Sequence, residues 1–180
     1  MNQTSMGKII FITGTDTGVG KTMVSLLALQ ALAALDVIYL KPIQTGCDYN
    51  QSDPAFIHAH LPQGLPQGML PKDCLHTCVP QPKAPLFAAQ NLKLEPITQF
   101  ITAQALKHDL VIVEGAGGLL VPINQQQTML NLAQSLNAFV LVVGRAGLGT
   151  INHCLLTLHV LAQTSLSCLG VILVDPNNAV

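Results

Sequence analysis

A run of β-branched and aromatic residues, Ile9-Ile10-Phe11-Ile12-Thr13, passes without a break into the glycine-rich segment GTDTGVGKT at residues 14–22. A short continuous apolar run of this kind is a strand buried on both faces. The stretch that follows, MVSLLALQALAAL at residues 23–35, is built of good helix formers and is apolar nearly all round. Strand, glycine-rich turn and helix, in that order, form the setting in which backbone N–H groups and a positive helix end cradle phosphate. Lys21 is placed to reach the terminal phosphates, and the Thr22 hydroxyl to ligate Mg²⁺. Five residues separate Gly14 from Gly20, one more than in the usual loop of this type. A chance GKT in an ordinary loop is the competing reading.

The remainder of the chain repeats the same alternation. Val37–Leu40 predicts a second strand ending at Lys41-Pro42, and Asp109–Val113 a third running into Glu114-Gly115-Ala116-Gly117-Gly118. Ala138–Val143 predicts a fourth strand and Leu169–Val174 a fifth. Between them lie helices predicted from Pro96 to residue 108, from an N-cap at Thr128 through Leu136, and over roughly residues 150–163. Strands alternating with helices form βαβ units, so the expected fold is α/β: a three-layer, P-loop NTPase-like parallel sheet with helices on both faces, in a single domain over residues 1–180. From Gln44 to about Lys83 the chain holds six prolines and three of its five cysteines. One short helix is predicted there, with Ser52 as N-cap before DPAFIHAHL, and the rest reads as long loop.

Charge narrows the function classes. Only 9 % of the 180 residues are charged, against roughly 25 % in an average soluble domain. Eight basic residues are scattered, and Arg145 is the sole arginine, so the basic stripe a nucleic acid needs is missing. Residues 115–144 and 146–174 carry no Asp, Glu, Lys or Arg, yet Gln, Asn, Ser and His interrupt both. Neither offers the roughly 20 mostly apolar residues of a membrane span. The start, MNQTSMGK, lacks a basic region followed by an apolar core. A soluble, cytoplasmic protein without membrane or nucleic-acid partners is expected. The odd number and irregular spacing of the cysteines argue against a disulfide framework. Cys74-Leu-His76-Thr-Cys78, with His58 and His60 upstream, resembles a metal site, but this is not the spacing of a zinc knuckle. Ordinary loop and core cysteines are the default.

The few charges concentrate at candidate site segments. Glu114 ends an apolar strand at its C-terminal edge, where open α/β sheets bind ligands, and a carboxylate beside a phosphate loop suits Mg²⁺. A helix-capping or loop carboxylate is the alternative. Lys41 leaves the end of another strand and can point at the same phosphates, or be a solvated lysine. Asp53 lies at a helix start, where simple capping competes with a role in the site.

Assembled in order, GTDTGVGKT, KPIQTG, VEGAGGLLVPI and GLGTINH make the chain resemble the dethiobiotin synthetases from about residue 7 to residue 175. That resemblance implies an ATP-dependent C–N ligase of biotin biosynthesis. 7,8-Diaminopelargonate and CO₂ (or bicarbonate) give a carbamate, the carbamate takes the γ-phosphoryl group of MgATP, and the second amine closes the cyclic urea of dethiobiotin. It implies catalytic roles for Lys21, Lys41 and Thr17, and Mg²⁺ ligands at Thr22, Asp53 and Glu114. Nucleotide contacts are implied at Gly18, Val19, Gly20, Lys21, Thr22, Met23, Asp53, Glu114, Gly115, Ala116, Gly117 and Asp175. Substrate contacts are implied at Thr45, Gly117 and Gly118, and at Leu148, Gly149, Thr150 and Asn152 from a neighbouring subunit, hence a homodimer with its substrate site at the interface.

Three departures stand beside the resemblance. Val174-Asp175 occurs where the family often has Asn-Asp, Gly18 stands where some members have Glu, and the chain ends at Val180, several tens of residues before the family's usual end. The C-terminal part of the family fold is therefore expected to be absent. Three other readings are a glutamine-amidating ligase of the cobyric-acid type, for whose additional amidotransferase domain 180 residues leave no room, an ATPase switch of the partition or septum-positioning type, and a truncated inactive relative. The switch reading lacks the second lysine early in the loop that such switches carry.

Overall fold

The computed structural model describes residues 6–175. In chain order the strands are β1 (Lys8–Gly14), β2 (Val37–Leu40), β3 (Ile43–Thr45), β4 (Thr77–Val79), β5 (Leu110–Gly118), β6 (Phe139–Arg145) and β7 (Cys168–Val174). The helices are α1 (Lys21–Ala31), α2 (Asp53–His60), α3 (Pro85–Ala88), α4 (Leu94–Ala105), α5 (Met129–Ser135) and α6 (Thr150–Ala162). Five strands form the main sheet in the order β2-β5-β1-β6-β7, every neighbouring pair parallel. This is the parallel sheet that the alternating pattern predicts. The apolar runs of β1, β2, β5 and β6 follow from burial on both faces, whereas β7, at the sheet's edge, leaves Leu169, Val171, Ile172 and Leu173 exposed.

Period-2 alternation sorts each central strand between two cores. Phe11, Val111, Val113 and Val140 pack with Ile97 and Ile101 of α4 and with Met129 and Leu132 of α5. Ile12, Tyr39, Ile112 and Val143 pack on the other face with Val24 and Leu29 of α1 and Ile57 of α2. The same alternation aims the strand ends. Leu110, Ile112 and Glu114 share one face of β5, and Val37, Tyr39 and Lys41 share the matching face at β2. Because Tyr39 lies opposite Ile112, the register carried two residues further brings Lys41 beside Glu114.

The structure adjusts several sequence expectations. α1 begins at Lys21 and ends at Ala31, not at residue 35, because the chain must turn before β2 can start at Val37. α4 begins at Leu94, ahead of Pro96. The segment expected to be long loop contains α2 with the Ser52 cap, whose hydroxyl accepts the Ala55 N–H at 3.3 Å. It also contains a separate two-stranded parallel sheet, β3 with β4, which three-residue strands without a clear period do not announce. The short helix α3 is likewise unpredicted. Among the described residues no helix is long and apolar enough to cross a membrane.

The packing makes a contrast testable by urea unfolding. Ile112 is fully buried between β1 and β2, so Ile112→Ala is expected to cost about 2–5 kcal/mol of stability. Leu27 lies on the exposed side of α1, and Leu27→Ala is expected to stay within about 0.5 kcal/mol of the parent.

Candidate active site

A cavity of about 400 Å³ opens at the C-terminal ends of β1, β2 and β5, lined by the glycine-rich loop, Lys41, Gln44, Thr45, Asp53, Glu114 and Gly117. The loop curls from Thr15 to Gly20 before entering α1, with Gly18 and Gly20 at φ of +65° and +98°. Gly20 has a second reason to be glycine. A Cβ there would come within 2.9 Å of Cγ1 of Val174, because the end of β7 packs against the loop. At the loop's start Thr17 N–H donates to the Asp16 carboxylate at 2.7 Å, and the Lys21 ammonium donates to the Asp16 carbonyl at 3.3 Å.

At the centre is Glu114, 1 % exposed. Its Oε1 accepts from the Thr22 hydroxyl at 3.0 Å and from Lys41 Nζ at 2.9 Å. Its Oε2 accepts from Ser25 Oγ at 2.8 Å and from the Tyr39 hydroxyl at 2.9 Å. Lys41 also donates to Asp53 Oδ2 at 2.7 Å and to the Gly115 carbonyl at 3.1 Å, so one buried ammonium joins two carboxylates. The helix carrying Asp53 is held in turn by Gln44, whose Oε1 accepts the Asp53 N–H at 2.9 Å. Such burial costs several kcal/mol per ion unless charges and hydrogen bonds are matched, and here both are matched.

The ionisations follow from this arrangement. Burial works to lower the Lys41 pKa, but Glu114 and Asp53 outweigh it and hold the ammonium above its ordinary value. Burial works to raise Asp53, and Lys41 outweighs it, leaving the carboxyl below the usual aspartate range. Lys21 is lowered, first by burial and then by the neighbouring Lys41 charge. The Tyr39 hydroxyl is raised well above 10 by burial and by Glu114, so it stays a donor.

Of the residues singled out from sequence, Thr17, Gly18, Gly20, Lys21, Thr22, Lys41, Thr45, Asp53, Glu114, Ala116 and Gly117 meet at this one cavity. The Gly115 carbonyl faces Lys41. Gly118 lies in an adjoining groove of about 390 Å³ that shares Thr17 and continues past Leu119 to Leu156 and Val160 of α6. Val19 turns its side chain into the core, and Met23 is largely exposed. Leu148, Gly149, Thr150 and Asn152 form the exposed start of α6, outside the cavity. Asp175 follows the end of β7. The Cys74/His76/Cys78 group does not converge. Cys74 is fully buried, His76 packs edge-on to Phe100, and Cys78 faces Cys47.

Sequence reasoning missed Ser25, Tyr39 and Gln44. Their signals are faint but physical. Ser25 is one turn after Lys21 in an otherwise apolar helix, and Tyr39 is the one hydroxyl in an apolar strand, two residues before Lys41.

The chain is similar to several known proteins. A family model described as an AAA domain matches residues 8–180. The ATP-dependent dethiobiotin synthetase BioD of Anaeromyxobacter sp. (strain Fw109-5) is 40 % identical over 171 residues, covering 91 % of this chain and 75 % of that protein. The ATP-dependent dethiobiotin synthetase BioD of Nitrosospira multiformis is 39 % identical over 189 residues, covering 97 % and 80 % respectively. Among solved structures, the kinase domain of the Escherichia coli tyrosine kinase ETK superimposes with a TM-score of 0.58 at 19 % identity, covering 100 % of this chain and 72 % of that one, a likeness of fold.

Two expectations follow from the site. Tyr39→Phe removes one donor from a buried carboxylate and is expected to cost about 1.5–3 kcal/mol in urea unfolding. Asp53 has a lowered native pKa, so the stability it contributes is present above about pH 4 and is lost as pH falls through the lowered native value. The urea midpoint of Asp53→Asn should therefore fall less steeply below pH 4 than that of the parent chain.

Proposed function

Because the chain belongs to the ATP-dependent dethiobiotin synthetase family, we propose that it closes the ureido ring of dethiobiotin from 7,8-diaminopelargonate, CO₂ and ATP. The observation that carries the reading is the convergence of Lys21, Lys41, Thr22, Asp53 and Glu114 on one cavity beside the glycine-rich loop. The carbamate formed from the diamine and CO₂ attacks the γ-phosphorus, and ADP leaves. The second amine then attacks the carbonyl of the carbamic–phosphoric anhydride and expels phosphate.

This chain's own groups have defined tasks in that sequence. The backbone N–H groups of residues 18–22 and the start of α1 receive the phosphates. Lys21 and Lys41 neutralise the charge on the phosphoryl group in transfer, the main catalytic demand in such reactions. Both are preorganised, Lys21 by the Asp16 carbonyl and Lys41 by Asp53 and Glu114. Thr17 and Thr45 border the space next to the phosphates, where the carbamate would be held. The adjoining groove, walled by Leu119, Leu156 and Val160, suits the alkyl chain of the diamino acid.

A hard divalent cation fits the donor set. Thr22 and Glu114 oxygens lie 3.0 Å apart, and the Asp53 carboxylate faces Glu114 across the Lys41 ammonium, itself a positive charge held between the two. Mg²⁺ favours such oxygen ligands together with phosphate, so Thr22, Asp53 and Glu114 would hold it. When bound, it would offset the negative charge of the phosphates. Leu148, Ile151 and Leu155 leave an exposed apolar start to α6, which supports a homodimer in which Leu148–Asn152 of one copy reach the substrate of the other. We assign the enzyme to the cytoplasm.

The test is phosphate release from ATP with Mg²⁺, with and without 7,8-diaminopelargonate and bicarbonate. Release that requires both, and that falls roughly 10²–10³-fold in Lys21→Ala and in Lys41→Ala, is expected. Hydrolysis independent of the diamine would refute the ligase.

A further inference from the structure

Behind the cavity wall, two thiols face each other on the small sheet. β3 and β4 pair with Gln44 opposite Cys78 and Thr45 opposite Val79. The ladder ends where the N–H groups of Gly46 and Cys47 both donate to the Val79 carbonyl, at 2.9 and 3.4 Å. This leaves Cys47 Sγ 3.5 Å from Cys78 Sγ, with the Cys78 thiol also directed at the Cys47 carbonyl. Both side chains are half-buried and so reachable from solvent. No metal use competes with their pairing, since among the described residues no three or more His, Cys, Asp or Glu side chains gather as ligands.

We propose that Cys47 and Cys78 form a reversible disulfide that deforms the wall of the phosphate cavity and slows the enzyme under oxidising conditions. The oxidant is a low-molecular-weight disulfide. The Cys78 thiolate attacks one of its sulfurs and expels a thiolate. Cys47 then attacks the Cys78 sulfur of the mixed disulfide and expels the second. One small disulfide bond breaks and one protein disulfide forms. The two protons released by the protein thiols pass to the two small thiols produced. Burial, and after it the hydrogen bond with the Cys78 thiol, push Cys47 up to about 12, which disfavours Cys47 as the first nucleophile.

The link reaches the site through the chain between them. A disulfide bond is about 2.05 Å long, so the sulfurs must close by about 1.5 Å. Cys78 is tied into the ladder between Thr77 and Val79, whereas Cys47 lies beyond the end of β3, next to Gly46 at φ +76°. The displacement therefore falls on residues 46–48. Thr45, immediately before, lines the cavity. Immediately after, the Asp48 carboxylate accepts the N–H groups of Asn50 and Gln51 at 2.9 and 3.0 Å and sets the turn that delivers Ser52 and Asp53. Displacing that turn moves Asp53 relative to Lys41 and Glu114.

The effect on turnover rests on the ligase reading above, whereas the disulfide does not. The full chain is incubated with glutathione disulfide, alkylated and digested without reduction. The expected result is a Cys47–Cys78 linked peptide, loss of two hydrogens from the intact mass, and reversal by dithiothreitol. Diamine-dependent phosphate release should fall roughly 10- to 100-fold and return on reduction. Cys47→Ser and Cys78→Ser should keep the reduced rate and lose the response. Glutathionylation without the link, modification confined to exposed Cys168, or a linked protein with unchanged turnover would each overturn the proposal. If the reduced chain shows no diamine-dependent release, the ligase reading fails by itself. The linked peptide and MgADP binding by the reduced and oxidised forms then decide the proposal, with equal binding by the two forms counting against it.

Discussion

The carboxylate of Glu114 is the group around which the site is organised. A buried anion at the end of a central strand is tolerable only if its lone pairs are filled, and four side chains fill them: Thr22, Lys41, Ser25 and Tyr39. These come from α1 and from the end of β2, so the glycine-rich loop, two strands and one helix are fixed to one another through two oxygen atoms. The division of labour between the oxygens matters. Ser25 and Tyr39 hold Oε2 from within the core, while Oε1 shares the cavity with Thr22 and Lys41. A carboxylate tethered on one side keeps its other oxygen fixed toward the cavity.

Lys41 carries the second constraint. Its ammonium compensates both Glu114 and Asp53, although Asp53 arrives from a separate helix inserted between β3 and β4. One ammonium therefore ties the end of β2 to both β5 and α2. Lys21, by contrast, is lowered by burial and by the neighbouring Lys41 charge. The same linkage explains why the irregular segment from Gln44 to Lys83 matters for chemistry. It sets the position of Asp53, through Gln44 and the Asp48 turn, and it contains the thiol pair.

How much of this can be read without coordinates depends on range. The strand–loop–helix signal at residues 9–31, the capped starts of α2 and α5 and the parallel alternation are local patterns, legible because propensity, capping and period agree. Lys21, Lys41, Asp53 and Glu114 stand out because a chain so poor in charge places these few at strand and helix ends, and Thr22 because it follows Lys21 in the glycine-rich loop. Ser25, Tyr39 and Gln44 are far less visible. Each is a neutral polar residue whose role comes from what lies opposite it, and Tyr39 and Glu114 are 75 residues apart.

The sequence by itself determined the element order, the phosphate loop, the charged residues of the site and the family, since all of these reside in short segments and their spacing. Only the tertiary structure decided the strand order β2-β5-β1-β6-β7, the pairing of β3 with β4, and the meeting of Lys41, Asp53 and Glu114 at distances below 3 Å. The reason is physical. Register and burial are properties of surfaces brought together by the whole chain, and a buried charge finds its partner through packing rather than through proximity in sequence.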